Sequence, residues 1–331
     1  RLGIPPLFKS NARNHFTHDA RAGINVSAGS FSAWPKEAGL AATRDMDLVA
    51  DFAQTMRKEW TSIGLRGMYG YMADLATEPR WYRIHETFTE DANLLADIVS
   101  VLVSNLQGSR LGSGSVALTM KHFPGGGPQE GGGDPHYDFG KRQVYPAGNF
   151  EYHYKPFVAA IDAGVSSIMP YYGIPKGQTS EDVAMGFNRQ IITDILRDQL
   201  NFDGVVCSDW GIISGRPWGV EHLSEEDRFK KSLLAGVDQF GGESDVKKII
   251  DLVNEGEISE ERIDTSVRRL LQNKFDLGLF EQPFVDESQI NSIVSNEKHR
   301  VIGLKAQQKS LVLLKNGDKG KSVLPIGRRS K

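Results

Sequence analysis

Cysteine occurs once in the 331 residues, as Cys207, so no disulfide can close within the chain and a disulfide-built secreted scaffold is excluded. That scarcity by itself leaves the compartment open. No uncharged apolar run approaches the ~20 residues that a membrane-spanning helix needs. No basic-then-apolar signal stands ahead of the opening RLGIPPLF. A surplus of one charge is missing too: 39 Lys and Arg against 42 Asp and Glu leave a formal charge of −3. Broad neutralisation of phosphates needs a basic excess, so nucleic acid is set aside as a partner, as is a membrane. His15, His18 and Asp19 lie close together, but no second cluster joins them, and no metal or cofactor is expected. The glycine runs at 125–127 and 131–133 lack the Gly-Lys-Ser/Thr of a phosphate-binding loop.

What is present is ordinary for a soluble globular chain: 39% apolar and 24% charged residues. Its length allows one large domain or two ordinary ones. Glycine is the exception, at 35 residues, or about 11% against a usual level of about 7%. Much of it falls between residues 125 and 140, which read as a long loop. The chain opens on Arg1 and closes on GRRSK, so we expect a piece of a longer product, cut at one or both ends.

Helical spacing recurs along the chain. Val49, Phe52, Ala53, Met56 and Trp60 share a face after Asp45, a candidate N-cap. Leu94, Leu95, Ile98, Val101 and Leu102 repeat the pattern up to Gly108. Pro156 suits a first helical turn, with a stop at Gly164. Stripes follow at Ile191–Leu200, Val246–Val253 and Ile263–Leu271, the last after Ser259. Between them lie apolar runs of strand length at 4–8, 65–75 in part, 116–120, 167–169, 204–207 and 237–240. Alternation of strands and helices predicts βαβ units and a parallel sheet covered on both faces. About six units can curl into a (β/α)₈-like barrel with early units missing, or lie open as a doubly wound sheet.

The chemistry gathers after the strands. Lys121-His122-Phe123-Pro124-Gly125 follows the third run, Pro170-Tyr171-Tyr172 the fourth and Ser208-Asp209-Trp210-Gly211 the fifth. In a parallel barrel such strand ends open on one face, where active sites are built. A lone Asp after a strand is usually a helix cap. Asp209, with a cationic Lys and an aromatic neighbour, also suits a glycosidase nucleophile, which must stay ionised to meet an oxocarbenium-like centre.

Five stretches in order carry a family resemblance: WPKEAGLAATRD (34–45), DLATEPRWYRIHETFTED (74–91), KHFPG (121–125), NFDGVVCSDWG (201–211) and LVLLKNG (311–317) before Leu324-Pro325. Together they resemble the family 3 glycoside hydrolases, which include β-glucosidases, exo-glucanases, β-xylosidases and β-N-acetylglucosaminidases. The resemblance implies an α/β fold, a (β/α)₈ TIM-like barrel incomplete at its N-terminal edge, over residues 1–310. Residues 311–331 would be a linker and the start of a second α/β domain absent from this chain.

It further implies a retaining, exo-acting β-glycosidase, foremost a β-glucosidase acting on a small β-glycoside or oligosaccharide. Asp209 would be the nucleophile that forms a covalent glycosyl-enzyme, with Trp210 packed beside the sugar. Lys121, His122 and Arg83 would bind its hydroxyls, and Tyr172, in preference to Tyr171, would tune the nucleophile. Asn11 stands near where members often carry Asp, and Tyr82 stands where the Pro-Arg-Trp-x-Arg turn usually has Gly. The acid/base would be a Glu of the second domain. The runner-up is His136 with Asp134, as in the single-domain β-N-acetylglucosaminidase branch; otherwise Asp-Pro-His is a loop turn. A periplasmic or secreted setting is expected over a cytoplasmic one. The loop at 125–149 could reach a neighbouring subunit, so a homodimer is among the partners considered.

Overall fold

A computed structural model describes residues 2–11, 31–318 and 321–326. His15, His18 and Asp19, and the basic end 328–331, lie outside the described residues. The strands are β1 (Lys9–Asn11), β2 (Gly67–Met72), β3 (Ala117–Phe123), β4 (Arg142–Gln143), β5 (Ser167–Pro170), β6 (Ile174–Pro175), β7 (Val205–Trp210) and β8 (Gln239–Gly241). Six of them form one parallel sheet in the order β1-β2-β3-β5-β7-β8, and β4 pairs with β6 alongside. Spatial order equals chain order, so there is no reversal at which a doubly wound sheet would open its crevice. The sheet is a curled half-barrel, six strands where a closed (β/α)₈ barrel has eight.

Helices α1 (Glu37–Thr43), α2 (Met46–Ser62), α3 (Ala92–Leu106) and α4 (Phe150–Asp162) precede a π-helical segment, Gln190–Gln199. Then come α5 (Glu225–Ala235), α6 (Val246–Asn254), α7 (Glu260–Asp276), α8 (Ile290–Ile293) and α9 (Glu297–Lys309). The candidate cap Asp45 forms, and Asp91 and Ser259 cap α3 and α7: their side chains accept from the backbone N–H groups of Leu48, Leu94 and Arg262, each worth about 1 kcal/mol. The apolar stripes of α2 and α3 bury Phe52, Met56, Leu95, Ile98 and Leu102 in one large core with the outer face of the sheet.

Some boundaries differ from the sequence reading. β1 begins at Lys9, beyond the apolar run at 4–8, because Pro5 and Pro6 have no N–H to give a ladder. β3 runs through Lys121 and His122 to Phe123, and β7 through Asp209 to Trp210. Helix α4 starts at Phe150, and Pro156 sits inside it. The glycine-rich loop is packed: Gly126, Gln129, Asp134 and Gly140 are buried.

Strand side chains alternate between faces, and β7 shows the division. Val206 joins the large core. Val205 and Cys207 join Met169, Tyr69 and Leu270 of α7 in a second cluster on the concave face. Lys121 has the parity of Thr119, to which Lys9 Nζ donates at 3.3 Å, whereas the register of β7 shifts between Cys207 and Trp210, so simple alternation does not carry through to Asp209.

The opposite end of the barrel is closed by α7 and the turn after it. Arg66, just before β2, donates to the carbonyls of Gly112, Ser115 and Leu277, each at 3.0 Å. Lys274 reaches the carbonyl of Pro5 at 2.7 Å. Buried Asp238, just before β8, accepts from the Val206 N–H at 2.9 Å, Arg197 at 2.7 Å, Ser266 at 2.7 Å and Arg269 at 3.2 Å. Glu59 of α2 is fully buried and accepts from the Ser295 N–H at 2.8 Å and His299 Nδ1 at 3.1 Å, tying α2 to α9.

Candidate active site

The residues singled out in the sequence converge at the C-terminal ends of β1, β3, β5 and β7. Lys121 Nζ donates to Asn11 Oδ1 at 2.8 Å, linking β3 to β1. Next to it in the chain, His122 is 1% exposed, with Nε2 3.1 Å from Arg83 Nη1 and 3.6 Å from Asp209 Oδ2. Arg83 lies on a short 3₁₀ turn, Tyr82–Glu86, and its other terminal nitrogen donates to Glu86 at 2.8 Å. Burial opposes its charge, but the carboxylates of Glu86 and Asp209 among its neighbours hold the guanidinium firmly protonated. Burial, then the charge of Arg83, pushes the His122 imidazole well below its usual range, so it is neutral.

Asp209 is buried, and its two oxygens differ. Oδ1 accepts from the Trp210 N–H at 2.8 Å. Oδ2 is buried and has no hydrogen-bond partner among the described residues. Such an orphaned oxygen demands an explanation, because buried polar atoms are nearly always satisfied. Its surroundings include the Arg83 guanidinium and the His122 imidazole, whose Nε2 is 3.6 Å away.

Trp210 is 42% exposed, the most open tryptophan of the chain. Its indole meets Tyr69 edge to face at 4.8 Å and lies over β8, where a Cβ on Gly242 would stand 2.7 Å from the ring. Gly242 also has φ +71°, so glycine is required there twice over. The Trp210 carbonyl accepts from Tyr172 Oη at 2.7 Å and Arg216 Nη1 at 3.0 Å. Burial, then the charge of Asp209, raises the Tyr172 phenol far above its usual value, so it remains a donor. Tyr171 instead lies over His122, ring centres 4.3 Å apart. Tyr172 is thus the tyrosine that contacts β7.

The Asp-Pro-His segment is also built into this end. His136 Nδ1 is 2.6 Å from Asp134 Oδ1, which also accepts the His136 N–H at 2.9 Å. Asp134 Oδ2 accepts from Trp81 Nε1 at 2.9 Å. Burial works to raise the Asp134 carboxyl, but the hydrogen bonds and charge of His136 prevail and hold it down at about 2. The His136 ring stands edge-on to Tyr172 at 4.8 Å.

Two residues were missed by sequence reading. Asp74, fully buried, accepts from the His122 N–H at 3.1 Å and lies 2.9 Å from its Nδ1, while its other oxygen accepts from the Gly126 N–H. Arg216 joins the two halves of the site: it donates to the carbonyls of Trp210 and, at 3.3 Å, His136, with its guanidinium 5.0 Å from the Tyr172 ring centre. Only the string around Asp74 carried a signal; GRPWG around Arg216 carried none.

Comparison with known proteins gives the same picture. Residues 9–273 match the model of the glycosyl hydrolase family 3 N-terminal domain. The chain is 45% identical to a probable β-glucosidase C of Aspergillus oryzae, covering 100% of this chain and 53% of that protein. It is 39% identical to a periplasmic β-glucosidase/β-xylosidase of Dickeya chrysanthemi, over 100% of this chain and 54% of the relative. Among solved structures, a β-glucosidase from Listeria innocua in complex with gluconolactone superposes with a TM-score of 0.84 at 26% identity, over 100% of this chain and 43% of that one. The chain thus spans about half the length of the curated relatives it matches. Half-barrel, ordered motifs and family model agree: the chain belongs to glycosyl hydrolase family 3, as its N-terminal domain.

Proposed function

We propose that this chain is the catalytic barrel of a retaining, exo-acting β-glycosidase, foremost a β-glucosidase that releases terminal glucose from short β-glucosides. The observation that carries the reading is the buried Oδ2 of Asp209, without a hydrogen-bond partner among the described residues and set beside Arg83 and His122. In this mechanism Oδ2 bonds to the anomeric carbon as the glycosidic C–O bond breaks. The departing oxygen takes a proton from an acid, and water activated by the conjugate base then cleaves the glycosyl-enzyme. Trp210 supplies a half-exposed apolar face for a sugar ring. Asn11, Lys121 and Arg83 supply donors to its hydroxyls.

The acid/base is proposed to be a Glu from a second domain, reached through residues 311–331. The support is length: relatives named β-glucosidase are about twice as long as this chain. Leu311 to Leu314 also leave the barrel exposed to solvent. A setting outside the cytoplasm fits the relative named periplasmic.

The reading is tested with a 2-fluoro glucoside carrying a good leaving group, applied to the full-length protein. The trapped sugar should be attached to Asp209, and the first product in NMR should keep the β configuration. A label elsewhere, or an α product, overturns the mechanism.

A second reading is favoured by one observation, the formed His136–Asp134 pair beside Tyr172. On that reading the protein is a β-N-acetylglucosaminidase, and His136 is the acid/base, since imidazole exchanges protons near neutral pH. We expect His136→Ala to keep kcat on an aryl β-glucoside within about threefold, whereas loss of a general acid costs roughly 10²–10⁴-fold. A loss of that size, with preference for the N-acetylated substrate, would select the second reading.

A further inference from the structure

Asp74 has a fully buried carboxyl group on the segment after β2, pushed up to about 7 by burial against the pull of Arg83 and of the Gly126 and His122 N–H groups, and no role in the proposed reaction calls for it directly. Its surroundings are three N–H groups. Oδ2 takes the backbone N–H of His122 at 3.1 Å and faces Nδ1 of the same residue at 2.9 Å. Oδ1 takes the backbone N–H of Gly126. One carboxylate oxygen thus grips both ends of His122, backbone and ring. The approach exists because residue 126 is glycine: a Cβ there would lie 2.6 Å from Asp74 Oδ1 and 2.8 Å from the Tyr171 ring.

The other ring nitrogen, Nε2, is 3.1 Å from Arg83 Nη1. A guanidinium has only donors, so Nε2 must accept. A neutral imidazole carries one N–H, and that proton then belongs on Nδ1, facing Asp74. With the proton on Nε2, donor would face donor at 3.1 Å, and Arg83 would be driven out of the corner it shares with Asp209.

We propose that Asp74 is a positioning residue: it fixes the His122 proton on Nδ1, leaving Nε2 as the acceptor that holds Arg83 beside Asp209. The inference rests on the glycosidase reading for its effect on turnover, but not for its geometry. An amide at 74 offers one acceptor oxygen to three donors and turns its own NH₂ toward one of them. The ring then gains by presenting Nδ1 as an acceptor, which moves the proton to Nε2 and displaces Arg83. Where a carboxylate sets an imidazole tautomer, the amide variant loses up to about 10⁴-fold.

The test has two arms, both on the full-length protein. In the first, [15N]histidine labelling reads the His122 tautomer, with its resonances assigned by their loss in His122→Asn. Nδ1 should have the shift of a protonated ring nitrogen and Nε2 that of an unprotonated one. The opposite pattern, or a doubly protonated ring, overturns the proposal. In the second, Asp74→Asn should shift the proton to Nε2 and lower kcat/KM on 4-nitrophenyl β-glucoside by roughly 10²-fold or more. A folded Asp74→Asn protein with unchanged tautomer, or with kcat/KM within twofold of wild type, overturns it. Should that variant not fold, the wild-type tautomer decides alone. A wild-type protein inactive on every aryl β-glycoside would refute the glycosidase reading and leave the tautomer result standing.

Discussion

Asp209→Gly in the full-length protein should lose turnover of an aryl β-glucoside by on the order of 10⁴-fold or more, about 5.5 kcal/mol of barrier. With azide and a substrate bearing a good leaving group, the same variant should form α-glucosyl azide. Removing the side chain opens space where Oδ2 now lies without a hydrogen-bond partner among the described residues. Azide can enter it and bond to the anomeric carbon as the aryloxide leaves, inverting the centre once. Arg83, His122 and Lys121 should keep their places, since their partners Glu86, Asp74 and Asn11 do not involve Asp209. Absence of the azide adduct, in a variant that still binds glucose, would count against a nucleophilic role. Asp209→Asn is the control for local structure, because its oxygen can still accept from the Trp210 N–H, now made at 2.8 Å.

Asp238→Ala should destabilise the barrel by about 3–5 kcal/mol, the usual cost of leaving buried charge without its partner. Its carboxylate meets Arg197 at 2.7 Å, Arg269 at 3.2 Å and Arg262 at 3.7 Å, and Ser266 and the Val206 N–H also depend on it. Three guanidiniums would then face one another around a void. Urea unfolding measures the loss. A change below about 1 kcal/mol would mean that the arginines find other acceptors and that the cluster does not fasten α7 to β7 and β8. Asp238→Asn should fall between, since the amide keeps one acceptor.

Much of this fold was legible from residue spacing. The stripes of α2, α3 and α7 stood out because their apolar residues recur every three or four positions, and Asp45 and Ser259 marked the starts of α2 and α7. Strand ends were harder. Lys121, His122 and Asp209 are charged or polar, so an apolar-run criterion stops before them, yet all three are strand residues whose polarity serves the barrel mouth. Helix α4 begins six residues before Pro156 because its first turns, FEYHY, are aromatic and polar by turns and show no stripe.

The site was legible as a set of motifs, not as a geometry. Sequence order could put Tyr171 or Tyr172 near Asp209, and only the folded chain shows one phenol on the Trp210 carbonyl and the other ring on His122. Asp74 and Gly126 are 52 residues apart, and nothing local announces their pairing. Arg216 lies 80 residues from His136, with which it closes the mouth.

The Glu59 staple has a consequence for biosynthesis. Its partners Ser295 and His299 follow 236 and 240 residues later. At the roughly 5–20 residues per second of a ribosome, a nascent α2 waits on the order of 10–50 s before these two hydrogen-bond partners of Glu59 exist, and until then only the Ser32 N–H, which it meets at 3.3 Å in the folded chain, has been made. During that interval the first βα units have no lid, and their apolar faces are open to chaperones and to one another. Maturation of this barrel is therefore timed by its last helix, however early its first strands are made.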